Sequence, residues 1–167
     1  MYTLYLNNVA QIRKEMLEKL EVKVLLLEID NTIKIYGENK PYKGVLEWIK
    51  YIKDSGYEIV LISNNYKETV EPFAKSLGLK YIAFALKPSP LGYVRAKKLI
   101  NQKFSNMLVI GDQVFTDIFG AKIVGIKSIL VDPISKTQEG VTVKIRRVAT
   151  SYAEKKIKSR GLYTIEE

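Results

Sequence analysis

The 167-residue chain contains no cysteine and no histidine. Without cysteine there is no disulfide, no thiolate metal site and no thiol nucleophile. Without histidine the commonest general base and the usual transition-metal ligand are gone as well. Catalysis, if any, must run on carboxylates, hydroxyls, lysines and a hard cation. Long hydrophobic runs are also missing: nothing approaches the roughly 18 apolar residues of a membrane span, and the N-terminus lacks a signal-peptide pattern. A cytoplasmic location is expected, with peripheral attachment to a membrane as the variant. Acidic residues are scarce, 18 against 27 lysines and arginines, and the net charge of +9 favours an anionic partner such as nucleic acid, a phosphorylated substrate or an acidic membrane. The rest is ordinary. An apolar fraction of 47% and this length predict one globular domain over residues 1–167, with a basic tail from about residue 144.

Apolar runs suited to buried strands recur at Val24–Ile29, Ile59–Ile62, Tyr81–Ala85, Met107–Ile110 and Ser128–Val131. Helical spacing separates them. Val45, Leu46, Trp48, Ile49 and Ile52 lie between Pro41 and Gly56, and Val70, Phe73, Ala74 and Leu77 precede a C-capping Gly78. Leu91, Val94, Leu99 and Ile100 follow Ser89-Pro90, and Ile118, Phe119 and residues 121–124 stop at Gly125. Val9, Ile12, Met16, Leu17 and Leu20 form an N-terminal amphipathic segment expected to lie on the sheet. Alternation of this kind predicts an α/β fold, a parallel Rossmann-like sheet in a three-layer α/β/α arrangement.

In such sheets ligands bind beyond the carboxyl ends of the strands, and the polar residues gather there. Glu28 and Asp30 follow the first run and alternate along it, so both carboxylates can point one way and offer oxygens to magnesium. Ser63, Asn64 and Asn65 follow the second, where a hydroxyl and backbone N–H groups can hold a phosphate oxygen or simply cap the next helix. Lys87 follows the third and can neutralise a phosphoryl group or stand in solvent. Gly111-Asp112 follows the fourth; Gly111 permits a tight turn, Asp112 can ligate magnesium, and Asp117 lies a helical turn further on, placed to hold a metal-bound water or to orient Lys87.

Glu28-Ile29-Asp30-Asn31-Thr32, Ser63, Lys87-Pro88 and Gly111-Asp112 with Asp117 resemble, in order, the four motifs of the haloacid dehalogenase (HAD) superfamily. The gaps between them leave no room for a cap domain, which resembles the capless class IIIA group. Leu61-Ile62-Ser63-Asn64-Asn65, Lys87-Pro88-Ser89-Pro90 and Gly111 to Asp117 are similar to the YqeG-like family, whose relatives are similar to phosphatidylglycerophosphate phosphatases. The resemblance implies a magnesium-dependent phosphomonoesterase acting on a phosphorylated small molecule or a phospholipid head group. It implies attack by the residue-28 carboxylate, acid–base work by Asp30, support of the motif loop by Thr32, and phosphoryl binding by Ser63, Asn64 and Lys87. Magnesium would be held by Glu28, Asp30 and Asp112, with Asp117 at the same centre.

One letter departs from the motif. Glu28 stands where the superfamily has aspartate, which carries the carboxylate about one methylene further. A displacement of ~1 Å in an attacking atom can cost on the order of 100-fold in rate. The competing expectation is therefore a catalytically impaired HAD-like binding module for an anionic partner: RNA, the ribosome or acidic lipid. A receiver domain of two-component signalling is a weaker fit, because it predicts no acidic Gly-Asp turn after the lysine. The C-terminal region supplies the surface for a binding role. Lys144, Arg146, Arg147, Lys155, Lys156, Lys158 and Arg160 face only Glu154, with Ile145, Val148, Tyr152 and Ile157 between them. It reads either as the solvated side of a terminal helix or as a docking surface for acidic lipid or RNA phosphates.

Overall fold

The computed structural model describes residues 3–135 and 140–160. Six parallel strands form one sheet in the order β1-β6-β5-β2-β3-β4. They are β1 Thr3–Leu6, β2 Val24–Leu27, β3 Glu58–Ile62, β4 Lys80–Ile82, β5 Met107–Gly111 and β6 Lys127–Val131. The helices are α1 Lys14–Lys19, α2 Val45–Asp54, α3 Lys67–Ser76, α4 Leu91–Ile100, α5 Phe119–Val124 and α6 Val141–Lys158. The segment between β2 and α2 is a loop, and among the described residues no cap is inserted there.

Side chains alternate across the central strands and build two cores. Leu25, Leu27, Ile59, Leu61, Leu108 and Ile110 face one layer, which includes Met16 and Leu17 of α1, Trp48 and Ile52 of α2, and Phe73 of α3. Val24, Leu26, Val60, Ile62 and Val109 face the other, with Tyr93 and Ala96 of α4 and Ala121 of α5. Strands buried on both faces read as unbroken apolar runs, which is why the sequence shows them so clearly. The N-terminal apolar segment lies on the sheet as expected, with Val9, Ile12, Met16 and Leu17 all buried.

Three boundaries differ from the sequence reading. β1 was not anticipated: it is four residues long and pairs with β6, 125 residues away at Thr3 and Ser128, so no local signal announces it. β4 stops at Ile82, because Phe84 and Leu86 take left-handed φ values of 47° and 57°. β2 stops at Leu27, before the acidic pair. Beyond it Ile29 O accepts the N–H groups of Thr32, Ile33 and Lys34, and the chain curls instead of extending. The expected basic tail falls largely within α6, and residues 161–167 lie outside the described residues.

The strand order reverses between β2 and β5. β3 and β4 extend the sheet on one side of β2, while β5, β6 and β1 extend it on the other. Ligands bind at such a switch point in open parallel sheets. Leu27 is in register with both Leu61 and Ile110, so Glu28, Ile62 and Gly111 leave the sheet at one level.

Candidate active site

Glu28 is the first residue past β2. Its N–H donates to Ile110 O at 2.9 Å, extending the ladder by one bond, and its side chain is largely buried. Two residues on, Asp30 has left the strand. One of its oxygens pairs with Lys34 Nζ and the other accepts from Asn65 Nδ2 at 2.6 Å. Asn31 makes the turn between them at φ 58°, in the left-handed region where asparagine is the best tolerated non-glycine residue. The two carboxylates are therefore not presented side by side along a strand. Glu28 enters from the strand end and Asp30 from the loop.

Of the two readings of Lys87, a cation placed to neutralise a phosphoryl group or a solvated loop residue, solvation does not hold: the side chain is buried. Its ammonium pairs with Glu28 Oε2 and with Asp117 Oδ1, the latter at 2.5 Å. Asn64 explains the placement. Its carboxamide accepts from Lys87 N at 2.7 Å and donates to Lys87 O at 2.9 Å, so it holds the lysine's backbone on both sides. Asn64, expected to bind substrate, spends its side-chain hydrogen bonds on this loop. Ser63 Oγ accepts from Asn65 N at 3.2 Å, a capping-type bond, while Ser63 itself borders the cleft.

Asp117 sits in a π-helical turn, Val114–Ile118, between β5 and α5. Turns of this kind often occur at functional sites. The fully buried carboxylate binds Lys87 through one oxygen and accepts Gln113 N–H through the other at 3.1 Å. It packs directly over Gly111, where a Cβ would come within 2.4 Å of Asp117 Cγ and Oδ2. The glycine of the Gly111-Asp112 turn is thus required by the second aspartate of the same motif.

Asp112 is fully buried one residue beyond β5. Thr32 Oγ1 donates to its Oδ1 at 3.3 Å, which ties the first motif loop to the fourth. Arg147 reaches in from α6; one guanidinium nitrogen binds Asp112 Oδ2 and the other donates to Asp112 O at 2.9 Å. Burial, and then the charge of Asp117, push the Asp112 carboxyl up from 3.8 to about 7, with Arg147 and Lys87 pulling the other way.

These groups surround a cleft of about 200 Å³ bordered by Glu28, Asp30, Ser63, Asn64, Lys87 and Arg146. The cleft suits a phosphoryl-sized group with the rest of a ligand outside. Thr32, Asp112 and Asp117 do not line it and act from its walls. Among the described residues no three histidine, cysteine or carboxylate side chains converge in the manner of an all-protein metal cage. Magnesium needs no such cage, since it usually keeps several waters and takes one or two carboxylates plus substrate phosphate. The donor set fits a hard cation: Glu28 and Asp30 offer carboxylate oxygens at the cleft, and Asp112 stands buried behind its wall. The adjacent Gln113 Oε1 is buried and has no hydrogen-bond partner among the described residues. All the donors are oxygens, as a hard cation requires.

Sequence reasoning did not place Arg147, Lys34 or Gln113 at the site. Arg147 had been one basic residue among several in the C-terminal region, and only the docking of α6 brings it to Asp112. The Asp30–Lys34 spacing is a possible helical pair, but the local chain is a loop, so the spacing alone carried no signal.

The chain matches the family of haloacid dehalogenase-like hydrolases over residues 3–125. It is 30% identical over 144 residues to "Probable phosphatase YqeG" of Bacillus subtilis, covering 86% of this chain and 84% of that one. It is 32% identical over 120 residues to a phosphoglycolate phosphatase of Mesorhizobium japonicum, covering 66% of this chain but only 52% of that protein. Among solved structures, a p-nitrophenyl phosphatase from Archaeoglobus fulgidus superposes with a TM-score of 0.56 at 12% identity, over 78% of this chain and 93% of that one, which is a likeness of fold. An uncharacterized protein from Listeria monocytogenes superposes with a TM-score of 0.57 at 14% identity, over 83% and 99% of the two chains. The chain belongs to the haloacid dehalogenase-like hydrolase family.

Proposed function

We propose that the protein hydrolyses a phosphomonoester in two steps, with Glu28 as the nucleophile and magnesium as the cofactor. The observation that carries this reading is the buried chain Glu28–Lys87–Asp117 at the switch point of the sheet, which presents a carboxylate and an ammonium together to a phosphoryl-sized cleft. A Glu28 carboxylate oxygen attacks phosphorus, an acyl phosphate forms, and the P–O bond to the leaving alkoxide breaks. Asp30 delivers a proton to that alkoxide and later takes one from the water that attacks the acyl phosphate, releasing inorganic phosphate and restoring Glu28. Lys34 and Asn65 each occupy one oxygen of Asp30, and each oxygen keeps a lone pair for proton transfer. Lys87 and the Ser63 hydroxyl bind the non-bridging oxygens. Glu28, Asp112 and the Asp30 carbonyl would hold magnesium, whose charge opposes that of the phosphoryl oxygens. Asp117, paired with Lys87, orients the lysine.

The substrate is a phosphomonoester whose body stays outside the cleft, and a phospholipid head group such as that of phosphatidylglycerophosphate fits that description. The test is phosphate release with and without magnesium, from phosphatidylglycerophosphate and from small phosphomonoesters. Magnesium-dependent release that Asp30→Asn abolishes supports the reading. Silence relieved by Glu28→Asp would assign the natural chain to the impaired, anion-binding alternative. Silence in both would overturn the phosphatase mechanism for those substrates.

A further inference from the structure

We infer that α6 is an interfacial docking helix that holds the protein on an anionic lipid surface. The inference goes beyond the hydrolytic mechanism and does not depend on it. α6 turns one face toward the body of the protein: Arg147 holds Asp112, and Lys158 pairs with Asp132 at 2.5 Å and with Glu154 at 3.0 Å. The outward face is apolar. Val141, Ile145, Val148 and Tyr152 are 73%, 63%, 75% and 78% exposed. Spaced by four, three and four residues, they fall within roughly 60° of one another at 100° per residue, a continuous stripe. Lys144, Lys155 and Lys156 flank it, all exposed, while the one acid of the helix, Glu154, is engaged with Lys158.

The combination selects its occupant. A second copy pairing through the same stripe would bring two sets of flanking lysines to one seam, with the single acid of each helix, Glu154, already engaged with Lys158. RNA phosphates would satisfy the lysines and leave the apolar stripe in water. An anionic bilayer accepts both, the stripe at the level of the acyl boundary and the lysines among the head groups, with Tyr152 suited to the interface. No helix among the described residues is long and apolar enough to cross a membrane, so the mode is peripheral.

Thr142, Val143 and Arg146, in the first turns of α6, border the cleft from the side of the helix turned away from the stripe, so docking through the stripe leaves the cleft-lining face of α6 uncovered. On the other wall the chain passes from Asn65 to Tyr66, which is 69% exposed and stacks on Phe84 at 5.5 Å. Phe84 and Leu86 hold left-handed backbone angles while their large apolar side chains stand in solvent, a strained arrangement that burial in a core does not explain.

The experiment is co-sedimentation of the full chain with vesicles of phosphatidylcholine, with and without phosphatidylglycerol, alongside the Ile145→Asp/Val148→Asp double variant. The wild type is expected to sediment with the anionic vesicles only, with affinity falling about fivefold for each of Lys144, Lys155 or Lys156 changed to glutamine. The double variant should lose about tenfold or more while keeping its circular dichroism and its hydrolysis of a soluble phosphomonoester. No binding to anionic vesicles, or equal binding by the double variant, overturns the inference. So does a dimer of the wild type that the double variant abolishes, or RNA binding that requires the lysines but not the stripe. A wild type that hydrolyses the soluble substrate but does not bind anionic vesicles counts against this inference alone; a wild type that docks without hydrolysing counts against the phosphatase mechanism alone.

Discussion

Replacing Gly111 with alanine adds one methyl group at the most crowded point of the site. That methyl would lie 2.4 Å from Asp117 Cγ and 2.7 Å from Asp117 Cβ. Because the obstacle includes the aspartate's Cβ, which side-chain rotation does not move, the π-helical turn must shift. Overpacking of this kind costs about 1–3 kcal/mol, and loosening the charge-assisted bonds of Asp117 to Lys87 and Gln113 adds roughly 1.5–3 kcal/mol. The two overlap, because both concern Asp117, so the expected total is about 2–5 kcal/mol, less than their sum. In a domain of this size that lowers Tm by roughly 4–20 °C. Thermal and urea unfolding measure the loss, and phosphate release measures its catalytic counterpart, a fall of at least about 100-fold as Lys87 leaves its position. A variant within about 0.5 kcal/mol of wild type that keeps full activity would refute the idea that Asp117 sets the lysine.

Four further outcomes follow from the same geometry. Asn64→Ala removes both bonds that hold the Lys87 backbone, and should lower kcat more than it raises KM, which steady-state kinetics on a soluble phosphomonoester will separate. Glu28→Asp shortens the nucleophile by one methylene and should change the rate of phosphate release at least about tenfold, upward if the superfamily's usual reach is retained here and downward if the backbone has adjusted to glutamate. Asp112, raised from 3.8 to about 7 in the fold, favours the folded state while protonated, so its contribution to the metal-free protein is complete below pH 3.8 and is lost as pH rises to about 7. Denaturant titrations of wild type against Asp112→Asn should show this as a difference of at most about 1.4 kcal/mol per pH unit across that window. Arg147→Met removes a cation that lowers the Asp112 pKa, so the pH midpoint of magnesium binding, followed by calorimetry, should move upward.

The sequence displayed the frame of this site more readily than its wiring. The runs of the four inner strands, β2, β3, β5 and β6, were visible because strands buried on both faces carry few polar residues, and Gly78 and Gly125 marked helix ends because the chain there takes left-handed φ values of 61° and 74°. Glu28, Ser63, Lys87 and Asp112 were visible because a parallel sheet delivers its functional groups at one edge, just past each strand. The partners of those groups were not visible. Asn64 to Lys87 spans 23 residues, Thr32 to Asp112 spans 80, and Arg147 reaches Asp112 only because a terminal helix docks there. Pairings of that kind are properties of packing, which periodicity and spacing do not encode.

The same wiring bears on why a glutamate can stand at position 28. An aspartate there would need Lys87 to approach a shorter carboxylate, yet Lys87 is fixed from three directions: its backbone by Asn64, its ammonium by Asp117, and Asp117 in turn by the turn over Gly111. With the lysine so constrained, Glu28 spans from the end of β2 to the ammonium in this structure. The lysine's rigidity therefore makes Glu28 a member of the charge network as well as a candidate nucleophile. Shortening it tests two properties at once, the reach of the attacking oxygen and the pairing of a buried ammonium. Leaving a buried charge without a partner is strongly destabilising, by about 3–5 kcal/mol. Because Asp117 would still hold Lys87, Glu28→Asp should fall well short of that figure. A stability loss as large as full unpairing would mean that Glu28, and not Asp117, is the principal anchor of the lysine.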